Sequence, residues 1–215
     1  MRKMTRRELG TLALSALPGA GLFGGVPRAW AQRAARPNSK FSGVQVGMNA
    51  PYNFGGRDMN ADELLDRCLA LGISAVELRS QPVESFLGSP AANGQKATPE
   101  DLRTWRTGVS MDRVGAFRKK YEDAGVLIEI VKYDGIYAMA DAEVDYCFGL
   151  ARALGARALS CEIDLEHTER IGRFADKHRL MVGYHGHATT TPAHWEEAFR
   201  PVSYTHLTLP TILLV

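Results

Sequence analysis

Two histidines one residue apart, His185 and His187, close the run "RLMVGYHGH", and upstream Glu162 closes a second apolar run, "ARALSCEI". Imidazole and carboxylate are the side chains that hold divalent cations and move protons near neutral pH, so this trio is the first candidate for catalysis. A carboxylate inside an apolar strand is expensive to bury without a partner. Glu162 therefore reads as functional or ion-paired. His185 and His187 read either as pocket histidines without metal contact or as metal ligands. Other chemistry-bearing residues also sit at the ends of apolar runs: Asn49 and Tyr52 after "GVQVGMN", Glu77 and Arg79 in "ISAVELRS", Lys132 and Asp134 after "VLIEIVKY", and Asp164 beyond Glu162. Asn49, Glu77, Arg79 and Lys132 are candidates for substrate binding. Glu77 and Arg79 have a simpler reading as an ion pair across the interior.

The elements that must place these residues alternate. Five strand-like runs start at Gly43, Ile73, Val126, Ala156 and Arg179, and they are separated by helical patterns such as "ADELLDRCLALG". In that helix Leu64, Leu65, Cys68 and Leu69 share a stripe and Gly72 is the stop. Thr98-Pro99 and Thr191-Pro192 are helix starts, with Thr as cap and Pro suited to the first turn. Alternation of this kind predicts βαβ units and a parallel sheet. A doubly wound nucleotide-binding sheet would carry a glycine-rich turn after the first strand, but "GMNAPYNFGG" has no G-x-G-x-x-G. A (β/α)8 barrel of the TIM type gathers polar residues at the C-terminal ends of its strands, which is the pattern seen here. Period-2 geometry puts Glu77 with Arg79, Ser160 with Glu162, and His185 with His187 on the face predicted to line the barrel.

Composition supports a globular chain without nucleic-acid chemistry: 215 residues, 45% hydrophobic, net charge +2, with no basic run interleaved with aromatics. Arg2, Lys3, Arg6 and Arg7, a Gly-rich apolar middle and "AWA" at 29–31 predict an export signal over residues 1–31. Thr5-Arg6-Arg7-Glu8-Leu9 resembles the twin-arginine type, which implies a periplasmic protein with no membrane attachment once the signal is removed. Cys68, Cys147 and Cys161 lie in apolar patterns and are expected to be buried free thiols. "VSYTHLTLPT" resembles the translation of a sequencing-library adapter, so residues 202–215 are expected to be non-native and His206 to carry no function.

The run "CEIDLEHTERIGRFADKHRLMVGYHGHATTTPAHWEEAF", together with "AVELRS", resembles the xylose-isomerase-like barrels known as sugar phosphate isomerases or epimerases, exported members in particular. The resemblance covers Phe41 to Pro201. It implies a divalent metal at the barrel mouth, Mn2+, Mg2+ or Zn2+, held by a strand-four glutamate with carboxylate and His ligands from strands six to eight. Glu162 matches that glutamate by position, and His185 and His187 fall where the family has polar pocket residues. The implied reaction removes a proton beside a sugar carbonyl and stabilises the resulting enediolate. The alternatives are a non-catalytic periplasmic carbohydrate-binding barrel and a metal-dependent hydrolase similar to endonuclease IV.

About 170 residues remain between signal and tail, against roughly 250 for a complete barrel. About five βα units are therefore expected over residues 41–201, in a fragment predicted to be inactive and prone to aggregate at its open sheet edges. "QPVESFLGSPAANGQKATP" is expected to be a long loop on the catalytic side, either a partial lid or a disordered insertion. His167, His178 and His194 are expected to be solvated helix residues.

Overall fold

The computed structural model describes residues 36–56 and 59–200. The predicted signal and adapter-derived tail lie outside them. A short antiparallel hairpin, β1 (Lys40–Phe41) and β2 (Val44–Gln45), precedes the first sheet strand, β3 (Met48–Ala50). The single strand expected from Gly43 is thus broken in two. Gln45 turns aside, its amide donating to the Ser39 and Ser74 hydroxyls at 3.1 Å each.

From β3 the chain alternates: α1 (Ala61–Leu71), β4 (Ala75–Arg79), α2 (Ser80–Leu87), α3 (Pro99–Gly108), α4 (Val114–Ala124), β5 (Leu127–Lys132), α5 (Asp141–Ala153), β6 (Ala158–Glu162), α6 (Thr168–His178), β7 (Met181–His185) and α7 (Pro192–Phe199). The strands form one parallel sheet in the order β3-β4-β5-β6-β7, so every strand pairs with its successor through a helical crossover. This is the α/β architecture of a TIM-type barrel, unclosed among the described residues, with β3 and β7 at its two edges. No helix among those residues is long and apolar enough to cross a membrane.

Local chemistry explains the helix ends. The Asn60 side chain accepts from the Asp62 and Glu63 amides while Glu63 accepts from the Asn60 amide, which satisfies donors that α1 would otherwise orphan. Gly72, at φ 69°, ends the helix in a left-handed conformation that suits glycine.

The expected long loop after β4 is instead α2 at its start. Pro82 is the third residue of that helix, where its missing N–H would have had no intrahelical partner. Val83, Glu84 and Leu87 are buried and Gly88 stops the turn.

The core lies between sheet and helices. Val76, Leu78, Val131, Leu159 and Cys161 face Leu64 and Cys68 of α1, Phe117 and Tyr121 of α4, and Val144, Cys147 and Phe148 of α5, all buried. All three cysteines are free and buried, as expected. Burial pushes the Cys68 and Cys161 thiols up to about 11, which keeps them protonated and unreactive.

His178 departs from its expected solvated state. Its Nε2 lies 2.6 Å from Asp145 Oδ1, its ring stacks on Phe148, and only 13% of the side chain is exposed. Lys177 Nζ also donates to Asp145, at 2.6 Å. Burial pushes the Asp145 carboxyl up, but the bonds from Lys177 and His178 outweigh it and hold it below its ordinary range. A carboxyl lowered in the folded state contributes stability above its ordinary pKa, and that stability is lost as pH falls through the folded value. Asp145→Asn is therefore expected to cost at most about 1 kcal/mol at pH 7, since a half-exposed cluster is screened. Urea unfolding should show that deficit shrinking below about pH 4.

Candidate functional site

The polar faces of the strands converge at their C-terminal ends. Register alone aligns Arg79 with Lys132, Lys132 with Ser160, Ser160 with Gly183, and Glu162 with His185. Because Glu162 and His185 are direct neighbours across β6 and β7, they reach the mouth side by side. His187 arrives there two residues past β7, with Nε2 2.7 Å from Glu162 Oε2. One ligand atom from each of Glu162, His185 and His187 can be chosen so that all lie within 4.8 Å of one another.

The glycine between the histidines is required by packing. A Cβ at Gly186 would sit 2.7 Å from the Trp195 ring and 3.2 Å from Thr190. Thr190 also accepts from the His187 amide through Oγ1 at 3.0 Å and donates its own amide to the His187 carbonyl at 2.8 Å. Trp195 and Thr190 thus clamp the turn that aims His187 at Glu162. Neither role is visible in the sequence, where Trp195 simply reads as packing its own helix.

Lys132 is placed behind Glu162. Its ammonium, 3% exposed, donates to Glu162 Oε1 at 2.6 Å and lies 3.8 Å from Asp134. Tyr137, in the short 3-10 turn Ile136–Ala138, donates its hydroxyl to the Glu162 carbonyl and fixes the strand end. Burial pushes the Glu162 carboxyl up, but the Lys132 hydrogen bond and charge, the His185 charge and the His187 hydrogen bond outweigh it. The carboxyl is therefore held below its ordinary range, ionised and ready to act as a ligand or acceptor.

Glu77 and Arg79 do not form the ion pair that the sequence allows. Two residues along a strand are about 6.6 Å apart, and each side chain meets cross-strand neighbours first. Glu77 accepts from Asn49 Nδ2 at 2.8 Å and from the Ser160 hydroxyl. Arg79 bonds Asn49 Oδ1 at 3.3 Å, pairs with Asp134, and lies over the Tyr52 ring at 4.9 Å. Asn49, Glu77, Arg79 and Lys132 are thereby joined into one polar wall leading to Glu162. Beneath it a cleft of about 260 Å³ runs down the inner face past Glu129, Ile130 and Arg157.

The rim carries a further pair. Asp164 Oδ1 accepts from the amides of Glu166 and His167, at 2.9 Å each, and stands 2.7 Å from His167 Nδ1. His167, expected to be a solvated helix residue, stands at the N-cap position of α6 with no capping bond from its side chain; its ring is 39% exposed and tied to Asp164. Burial pushes the Asp164 carboxyl up, while the bonds from His167 and the two amides outweigh it and hold it low. His194 lies in α7, where its Nδ1 accepts from the Thr191 amide at 3.2 Å.

One carboxylate and two imidazoles at this separation suit a divalent cation, provided each histidine offers a neutral nitrogen. Glu162 Oε1 is taken by Lys132, leaving Oε2 toward the histidines.

No protein-family model matches the chain, and no curated protein sequence matches it. Solved structures do. An uncharacterized protein from Parabacteroides distasonis ATCC 8503 superposes with a TM-score of 0.50 at 21% identity, over 73% of this chain and 58% of that one. A sugar phosphate isomerase/epimerase from the same organism superposes with a TM-score of 0.51 at 14% identity, over 79% of this chain and 68% of that one. The chain spans less than two thirds of the first of these proteins. At such identities the likeness shows the fold alone, that of a TIM-type barrel.

Proposed function

We propose that this chain carries part of the mouth of a metal-dependent sugar isomerase or epimerase, with Glu162, His185 and His187 as the metal-holding group. The observation that carries this reading is the convergence of one carboxylate and two imidazoles within 4.8 Å at the C-terminal ends of adjacent parallel strands, the end where barrels of this type place their chemistry. The sugar phosphate isomerase/epimerase among the fold relatives supports the choice of chemistry. Two imidazole donors favour Mn2+ or Zn2+ over Mg2+, which prefers all-oxygen ligands.

A divalent cation bound there supplies a Lewis acid for carbonyl and hydroxyl oxygens. The protein does the rest. Lys132 fixes Glu162 Oε1 so that Oε2 faces the histidines. Asn49, Glu77 and Arg79 present donors and acceptors along the wall and orient sugar hydroxyls. The twin-arginine-like leader makes a free sugar in the periplasm as suitable a substrate as a phosphorylated one.

The test is calorimetric titration of the protein with Mn2+ and with Zn2+, followed by titration of the metal-loaded protein with D-fructose and D-xylose. One cation per chain is expected, with binding of at least one sugar that is lost when a chelator strips the metal. Absence of stoichiometric metal binding, or sugar binding that survives chelation, contradicts the proposal.

A further inference from the structure

A sugar reaches such a mouth either free or as its phosphate ester, and the charges at the strand ends discriminate between the two. A phosphate near neutral pH carries roughly two negative charges and only acceptor oxygens, so unpaired cations are what receive it. At the ends of the described strands the cationic side chains are Arg79 and Lys132, and both are already paired. Arg79 gives Nη1 to Asp134 and Nε to Asn49 Oδ1, the latter at 3.3 Å. Lys132, 3% exposed, stands between two carboxylates, 2.6 Å from Glu162 and 3.8 Å from Asp134.

Asp134 is the partner common to both cations. It lies two residues past the end of β5, outside the group formed by Glu162, His185 and His187, and 45% of its side chain is exposed. Among the described residues its carboxylate accepts a hydrogen bond from Arg79 alone. The wall therefore sets three carboxylates, Glu77, Asp134 and Glu162, against two cations. Such a surface draws hydroxyl donors and repels a dianion, the more strongly where burial lowers the dielectric. Beside it the Tyr52 ring, 53% exposed with Arg79 4.9 Å over its centroid, offers apolar surface to the C–H face of a sugar.

We infer that Asp134 sets the substrate class of the site: paired with Arg79 and facing Lys132, it removes the receptor for a phosphate and selects an uncharged sugar, a choice that rests on the isomerase or epimerase reading and is made within it. Specificity is a difference between two affinities. The Asp134 charge lowers the affinity for the ester, by repulsion and by neutralising Arg79, and leaves hydroxyl recognition by Asn49 and Glu77 in place. Because Asp134 acts through Arg79, its signature is a changed ratio of affinities and not a general loss of binding.

The experiment is calorimetric titration of metal-loaded native protein and of Asp134→Asn with D-fructose and D-xylose, each beside its terminal phosphate ester, with metal content measured alongside. Native protein should bind a free sugar about tenfold more tightly than its ester, or better. Asp134→Asn keeps the shape of the side chain and an acceptor for Arg79 but releases the Arg79 charge. The affinity for the ester relative to the free sugar should therefore rise about tenfold, whereas a merely structural loss would lower both affinities and leave their ratio unmoved. Native protein that binds the ester as tightly as the free sugar, or an unchanged ratio in Asp134→Asn, overturns the inference and leaves the metal-dependent reading standing. Native metal-loaded protein that binds neither sugar nor ester overturns both.

Discussion

Arg106→Leu is expected to destabilise the protein by about 3–5 kcal/mol, because it strips the counter-charge from two buried carboxylates at once. Arg106 of α3 bonds Glu84 of α2 at 3.0 and 3.3 Å and Glu143 of α5 at 3.2 Å. The three side chains are 10%, 7% and 5% exposed. Arg103 reaches Glu143 only at 3.4 Å, is 46% exposed and is shared with Glu100, so it is a weak substitute.

Burial raises the Glu84 carboxyl above its ordinary range even with the Arg106 charge opposing it. Without Arg106 it rises further. A carboxyl raised in the folded state contributes stability that is complete below its ordinary pKa and lost as pH climbs through the folded value. The Arg106→Leu deficit should therefore grow between pH 5 and pH 8. Urea unfolding at the two pH values measures it, and a loss under about 1 kcal/mol that ignores pH would refute the account. Replacing all three residues by leucine should recover much of the loss, since a well-packed apolar trio often equals a buried ionic one.

Glu162→Gln is expected to weaken divalent-metal binding about a hundredfold or more, since even the partners behind metal ligands are worth ten- to a hundredfold. Glutamine keeps the shape and an acceptor for Lys132, but it removes the negative charge that both Lys132 and the cation need. The Lys132 ammonium, 3% exposed, is then left without its carboxylate at 2.6 Å. The double variant Glu162→Gln with Lys132→Met separates the two effects. It should restore fold stability and leave metal binding lost. Native affinity in a folded Glu162→Gln protein would remove Glu162 from the site.

The alternation of strands and helices, and the inward set Glu77, Arg79, Ser160, Glu162 and His185, were legible because period 2 is a local property of the chain. Cross-strand partnership was not. Arg79 meets Asp134, and Lys132 meets Glu162, only after β4, β5 and β6 are in register. Glu84 was hidden inside an apparent loop because Pro82 signals a break unless it falls in a helix's first turn. The pairing of Glu84 with Arg106 and Glu143 joins three helices, and His178 with Asp145 joins two, so no spacing in the sequence announces either. The His-Gly-His motif was visible, while the reason for its glycine, Trp195 lying 2.7 Å from where a Cβ would be, is tertiary.

His185 and His187 are proposed to join Glu162 on one cation. Pulsed electron paramagnetic resonance of the Mn2+-loaded protein tests it directly. Nitrogen modulation from two imidazoles is predicted, reduced to one in His185→Ala and in His187→Ala alike. A spectrum with water and carboxylate couplings only, unchanged in both variants, would contradict it.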